Sequence, residues 1–299
     1  MNKSMGLAGW AALLLTAAMF GSSFVLTKLA IESISPLTVA AGRVALAAPL
    51  AWAVLRLSGE RLPPLGAAWI PLLILGFLTA AIPYTAIAWG QVNIASGLGG
   101  ILFGTIPIFT VVLAQFLTAD EKLTPERSIG SIVGLAGVVV VVGPGALMHF
   151  DDYVGASVIT LLGALSYALG GIYARRNPQL SPLVMVTGQL LTATVMLVSL
   201  SLAVDTPWTL QPSPGALGAV AAVAVLSTVL PALLLFWLIR RVGATSGSVV
   251  AFFLPVVAVV LGAALLGERL PVQTFVGLGL ILLGAFAINS RFPRLAKAN

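Results

Sequence analysis

The sequence predicts an all-α membrane protein: ten transmembrane helices arranged as two inverted five-helix repeats around a central cavity. Three observations predict it. Hydrophobic residues make up 59% of the 299 positions and charged residues 8%, with a mean hydropathy of +1.09, too little polar surface for a soluble fold. The apolar stretches run almost end to end, each long enough for the roughly 20 residues that a hydrocarbon core about 30 Å thick requires. The second half repeats landmarks of the first at a nearly constant offset.

Breaking the chain at charged, Pro-rich and Asn/Asp-containing links gives spans 8–31, 36–57, 67–91, 94–118, 126–147, 153–174, 182–204, 214–239, 245–266 and 271–290. Long continuous runs without alternation favour helices over barrel strands. Span 1 follows Lys3 and has a signal-peptide flavour, with Ala17-Ala18 as small residues, but its apolar run continues to Ala30 and it has a counterpart in the second half. It reads as a retained span.

Basic residues set the orientation. With the N-terminus inside, the cytoplasmic side receives Lys3, Arg56, Arg61, Lys122, Arg127, Arg175, Arg176, Arg240, Arg241, Arg291, Arg294 and Lys297. The outer links carry Glu32, Asp151, Asp152, Asp205 and Glu268. Both termini are therefore expected in the cytoplasm, which agrees with an even number of spans.

The repeat divides the chain into 1–147 and 148–299. Pro36 and Gly42-Arg43 recur as Pro182 and Gly188-Gln189, Lys28 as Arg175, and Pro83 and Trp89 as Pro231 and Trp237. Ser96-Gly97 recurs as Ser246-Gly247, Pro107 as Pro255, and Asp120-Glu121-Lys122-Leu123 as Gly267-Glu268-Arg269-Leu270. Each half holds an odd number of spans, so the second enters the membrane from the opposite side. Inverted repeats give a fold two related conformations, one open to each face, with a solute held between the halves.

Composition also excludes chemistry. No cysteine is present, so disulfides, thiolate metal sites and thiol nucleophiles are absent. The single His149, beside Asp151 and Asp152, is the one conceivable metal ligand cluster, and a polar link is the plainer reading. No nucleophile–base pair sits in the core, so an enzyme is not expected. A pI near 10.2 suggests nucleic acid only where basic residues cluster, and here they punctuate the apolar runs. No cofactor is expected, and no nucleic-acid partner.

Ionisable groups inside hydrocarbon are costly and usually functional. All nine acids lie at span ends or links, and the one well-embedded charge is Arg43, about two turns into span 2. It either attracts a solute carboxylate or bonds backbone carbonyls and Glu32. Lys28 lies four residues before Glu32, and the two are expected to pair. The cavity is expected to be neutral, with apolar and aromatic walls. Tyr84, Ala88 and Gln91 share a face of span 3; Ser22 and Ser23 come from span 1, Phe103 from span 4, Ser166 and Tyr167 from span 6, Phe236 and Trp237 from span 8, and Phe252 and Phe253 from span 9. Packing or interface anchoring is the alternative for each. Pro83, Pro107, Pro231 and Pro255 are hinges or static kinks. Gly100-xxx-Gly104 and Gly130-xxx-Gly134 permit close helix approach within the chain or, less simply, in a homodimer.

The segment Phe236-Trp237-Leu238-Ile239-Arg240-Arg241-Val242-Gly243-Ala244, then Leu254-Pro255-Val256-Val257-Ala258-Val259 and Leu266-Gly267-Glu268-Arg269-Leu270, resembles the signature of the drug/metabolite transporter superfamily. Ile106-Pro107-Ile108-Phe109 with Asp120-Glu121-Lys122-Leu123 is its first-half echo, and Phe20-Gly21-Ser22-Ser23-Phe24 through Lys28 resembles that family's first span. The resemblance implies a basket with spans 1, 3, 4, 6, 8 and 9 around the cavity and spans 5 and 10 outside. It implies a bacterial inner (plasma) membrane location and a small-molecule substrate, and ten-span exporters of amino acids, aromatic ones in particular, are the nearest type. Other multidrug or metabolite exporters of the superfamily are the alternative, with a channel or a non-transporting scaffold further off. Four-span multidrug members carry a glutamate in the first span; Met19 to Leu26 has no acid here. A monomer is expected, with a homodimer as the other form.

Overall fold

A computed structural model describes residues 7–118, 124–143, 151–242 and 244–289, apart from the side chains of residues 7–8, 126, 236, 239–242, 244–249 and 289. His149, the Asp120–Leu123 motif, Lys3, Arg291, Arg294, Lys297 and the side chains of Phe236, Arg240, Arg241 and Ser246 lie outside the described set. Among the described residues the fold is helical throughout, with no strand.

In chain order the helices are α1 (Leu7–Ala30), α2 (Pro36–Leu57), α3 (Ala67–Asn93), α4 (Ser96–Leu117), α5 (Pro125–Val142), α6 (Asp152–Arg175), α7 (Pro182–Val204), α8 (214–242), α9 (Ala244–Leu266) and α10 (Val272–Asn289). Seven of the described helices are long and apolar enough to cross a membrane: α1 to α4 and α6 to α8. Shorter apolar stretches occupy Arg127–Val142, Val250–Leu266 and Val272–Ile288. Helix starts are written in the sequence. Pro36, Pro125, Pro182 and Pro214 stand in the first turn, where a missing N–H costs nothing, each after a Ser or Thr. Thr124, Ser181 and Ser213 accept from the backbone N–H three residues on, and Asp151 caps α6 through Val154 N at 2.8 Å. Span 5 ends earlier than expected, at Val142, because Gly143 takes φ +94 and Pro144 follows.

Packing pairs α2 with α7, α4 with α9 and α5 with α10. Helix α1 lies against α8 and α9, and α6 lies against α3 and α4. One face of α2, Leu37, Ala41, Val44, Ala48 and Ala51, is buried against Leu190, Ala193 and Leu197 of α7. Small residues let the backbones approach, which is what drives association where lipid is as apolar as leucine. The extreme case is α5 on α10: a Cβ added at Gly284 would lie 2.5 Å from Gly130 O and 2.6 Å from Gly134 N. Gly100 meets Ala258 and Gly104 meets Pro255 of α9 in the same way. Both small-residue motifs are therefore used within the chain. Large apolar side chains such as Leu14, Leu50, Phe77, Leu162, Val195 and Phe286 face outward, as a lipid-facing surface requires.

Candidate functional site

Helices α1, α2, α3, α4, α6, α8 and α9 converge on an internal cavity of about 190 Å³. Its walls are apolar and aromatic, with Phe20, Phe24, Ile87, Phe103, Leu235 and Leu254 prominent; its polar groups come from Ser23, Arg43, Tyr84 and Tyr167. Phe24 and Phe103 meet edge to face with ring centroids 5.7 Å apart. Among the described residues, no Asp or Glu lines it.

Among the described residues, Arg43 is the only charged one in that wall, and it is buried, with 5% exposure. Its guanidinium carbon lies 3.7 Å from the centroid of the Tyr84 ring, a cation–π contact. Nε donates to Thr228 Oγ1 at 2.9 Å, Nη1 to Ser23 Oγ at 2.8 Å and Nη2 to the Ser227 carbonyl at 3.2 Å. That carbonyl is available for a reason legible in the chain. Pro231, four residues on, has no N–H to offer it. The cavity is therefore cationic rather than neutral as expected, and Glu32 is not among the partners these bonds give Arg43.

The backbone of α3 and α8 explains the geometry. Phe77–Ala81 and Val225–Val229 are π-helical, with Ile82 N bonding Phe77 O and Leu230 N bonding Val225 O. Each precedes a proline, Pro83 or Pro231, so the widened turn accommodates the ring where an α-turn would clash. The freed groups find side-chain partners. Ser166 Oγ donates to Leu78 O at 2.8 Å; beside it, Thr79 Oγ1 lies 2.6 Å from the Leu75 carbonyl and 2.8 Å from the Gln189 side-chain amide. Gln189 holds the same position in α7 that Arg43 holds in α2, so one half presents a charge where the other presents an amide. Pro107 opens the second stretch of α4 after a turn at Gly104-Thr105, whereas Pro255 sits inside a continuous α9.

Three of the described acids serve helix ends across the chain. Asp205, at the end of α7, accepts from Ser35 Oγ, from Thr38 N at 2.9 Å and from Thr38 Oγ1 at 2.9 Å at the start of α2. Glu60, after α2, accepts from Ser181 Oγ at the start of α7. Glu268 accepts from Ser96 N at 2.6 Å and Gly97 N at 2.9 Å at the start of α4. Each carboxylate thus meets the positive end of a helix from the other half of the chain. Lys28 does not bond Glu32; its Nζ donates to the carbonyls of Gln91 and Ile94 at the end of α3, the complementary pairing.

Of the residues expected in a binding wall, Ser23, Tyr84, Phe103 and Tyr167 line the cavity together. Ser22 is a neighbour that bonds Ser227 Oγ at 2.9 Å. Ser166 is turned to the α3 backbone. Ala88 and Gln91 are fully buried beyond the cavity, with Gln91 Nε2 only 3.2 Å from where a Cβ on Gly99 would stand. Trp237 is partly exposed and off the cavity. Phe253 packs with Leu13, Ala17 and Leu238, and Phe252 does not line the cavity either. The side chain of Phe236 is outside the described set. Sequence reasoning missed Phe24, Ser227, Thr228 and Gln189. The recurrence that pairs Pro83 with Pro231 also marks Thr79 and Ser227, and was the available signal. A second, surface hollow of about 460 Å³ lies among the helix ends near Trp89, Asn93, Asp151, Asp152 and Asp205.

The profile of the EamA-like transporter family matches residues 7–143 and again 155–290. The uncharacterized inner membrane transporter YedA of Escherichia coli K12 is 29% identical over 276 residues, 90% of this chain and 87% of its own length. An uncharacterized transporter of Archaeoglobus fulgidus is 27% identical, covering 93% of this chain and 98% of its own. A probable terminal-alkyne amino-acid exporter of Streptantibioticus cattleyicolor is 27% identical, covering 94% and 93%. A solved crystal structure at 17% identity superposes with a TM-score of 0.64 over 96% of this chain and 98% of that one, which shows a shared fold.

Proposed function

Because this chain belongs to the EamA-like transporter family, a family of multi-pass membrane transporters and not of enzymes, we propose that it exports amino acids, aromatic or large neutral ones, by alternating access. The observation that carries this reading is the acid-free cavity walled by Phe20, Phe24, Phe103, Tyr84 and Tyr167 where seven helices meet. Such a chamber holds a ring or a branched side chain and excludes organic cations that need a carboxylate partner. The probable amino-acid exporter among its relatives supports the same class.

The architecture on this reading is ten spans in two inverted repeats, 1–147 and 148–299, with both termini cytoplasmic and a single chain as the transporting unit. Three features support it. The family profile matches once in each half. The π segments recur at equivalent places before Pro83 and Pro231. The packing exchanges under the repeat: α1 on α8 and α9 corresponds to α6 on α3 and α4, while α2–α7, α4–α9 and α5–α10 map onto themselves. Prolines 83, 107, 231 and 255 are the hinges of this motion, and the acid caps that bridge the halves are contacts that hold one state.

The test is purified protein in proteoliposomes offered a panel of labelled amino acids, with and without a pH gradient. Saturable movement of phenylalanine, tryptophan or leucine in both conditions is expected. Transport of organic cations alone, or movement strictly dependent on the gradient, would overturn the reading.

A further inference from the structure

Resting on the reading just given, we propose that Arg43 is a carboxylate anchor and that the cavity recognises its ligand's acid end without recognising the ammonium, so that deaminated aryl and alkyl carboxylates are ligands as good as the amino acids themselves. A guanidinium has five N–H donors. Three of Arg43's are directed at Thr228 Oγ1, Ser23 Oγ and the Ser227 carbonyl and the Tyr84 side chain engages the guanidinium as well, so the fork is held by four neighbours and not fully spent. All three acceptors are neutral, and no described acid lines the cavity. A buried cation without a counter-charge is costly, and a carboxylate supplies both the charge and an acceptor for the donor capacity that remains. Tyr84 stacked at 3.7 Å holds the fork in place, so the anchor is ordered before a ligand arrives.

Nothing comparable waits for an ammonium. The described acids nearest in role, Glu60, Asp205 and Glu268, are engaged at the starts of α7, α2 and α4. The equivalent position in the other half is Gln189, a neutral amide already bonded to Thr79. What remains for a cation is the hydroxyl of Tyr84 or Tyr167 and the faces of Phe24 and Phe103. Repulsion from Arg43 over a few ångströms exceeds what a ring face offers.

The experiment measures counterflow of labelled L-phenylalanine in proteoliposomes against three competitors. 3-Phenylpropionate, which lacks the ammonium, is expected to compete within about threefold of phenylalanine. Phenethylamine and L-phenylalaninamide, which lack the carboxylate, are expected to be at least about tenfold weaker, the loss of charge-assisted hydrogen bonds. Arg43→Gln is expected to weaken both acids by roughly 10- to 100-fold and, by removing the repulsion, to raise the amide's weak affinity; Arg43→Lys falls between for the acids, as a point charge without the fork. An inert 3-phenylpropionate, equal competition by phenethylamine, or an acid-over-amide preference that survives Arg43→Gln would each overturn the anchor. The wild-type competition decides by itself if the variants do not fold. Should the vesicles move no phenylalanine, thermal stabilisation of the detergent-solubilised protein separates the two readings. Stabilisation by 3-phenylpropionate and not by phenethylamine upholds the anchor while overturning amino-acid export; no stabilisation by the acid overturns the anchor.

Discussion

Asp205 illustrates how residues here act across the chain rather than within their own helix. It stands at the C-terminal end of α7, unfavourable for its own dipole, and its carboxylate caps α2 through Ser35 and Thr38. Asp205→Ala leaves the Thr38 N–H without that acceptor, and a loss of about 1–3 kcal/mol is expected as a lowered melting temperature in detergent, with Asp205→Asn losing less. That Arg43 is an embedded charge was legible from its distance to Pro36; its partners Ser23, Ser227 and Thr228 were not, because they depend on how α1 and α8 settle against α2. Tyr84, Ala88 and Gln91 do share a helical face, as their spacing predicted. Spacing gives a face but not how far along it remains uncovered. Beyond Tyr84 the face is closed by Phe24 and Gly99, so Gln91 is sealed in.

At the scale of elements, α3 and α8 are shaped by what their prolines withhold. Pro231→Ala restores an N–H within reach of the Ser227 carbonyl and so competes with Arg43 Nη2 for it. The expected outcome is unchanged or slightly raised thermal stability with transport slowed severalfold, read in the counterflow assay; Pro83→Ala, whose neighbouring side chain is the neutral Gln189, is expected to slow it less. Helices α5 and α10 make the opposite demand, for the absence of a side chain. Gly284→Ala places a methyl against Gly130 O and Gly134 N, and backbone atoms cannot step aside. A destabilisation of about 1–3 kcal/mol is expected, seen as a lower melting temperature by tryptophan fluorescence. The helix starts were legible from Ser/Thr-Pro pairs. The π segments were not, since the same proline leaves an α-helix kinked or widened according to which groups stand by to receive its orphaned carbonyls.

For the whole molecule, the landmarks that recur at matching spacing lie on helices whose packing is exchanged in the same sense, α1 on α8 and α9 as α6 on α3 and α4. Hydropathy and charge give an expected orientation, and the cysteine-free chain makes it directly testable. Gln211→Cys is expected to react with a membrane-impermeant maleimide from outside intact cells, and Ser58→Cys only after the inner face is exposed. The unequal pair of Arg43 and Gln189 has an electrical consequence. An empty cavity carries one positive charge, a bound carboxylate brings it to zero, and a bound zwitterion leaves it at plus one. In the proposed cycle, an interior-negative voltage therefore draws the empty carrier back to its inward-open form and does not oppose the neutral loaded form, a drive of up to about 2.3 kcal/mol per 100 mV. A potassium diffusion potential imposed on vesicles is expected to accelerate the efflux of 3-phenylpropionate and leave that of phenylalanine unmoved, so that a single unmatched arginine makes one cargo current-carrying and the other silent.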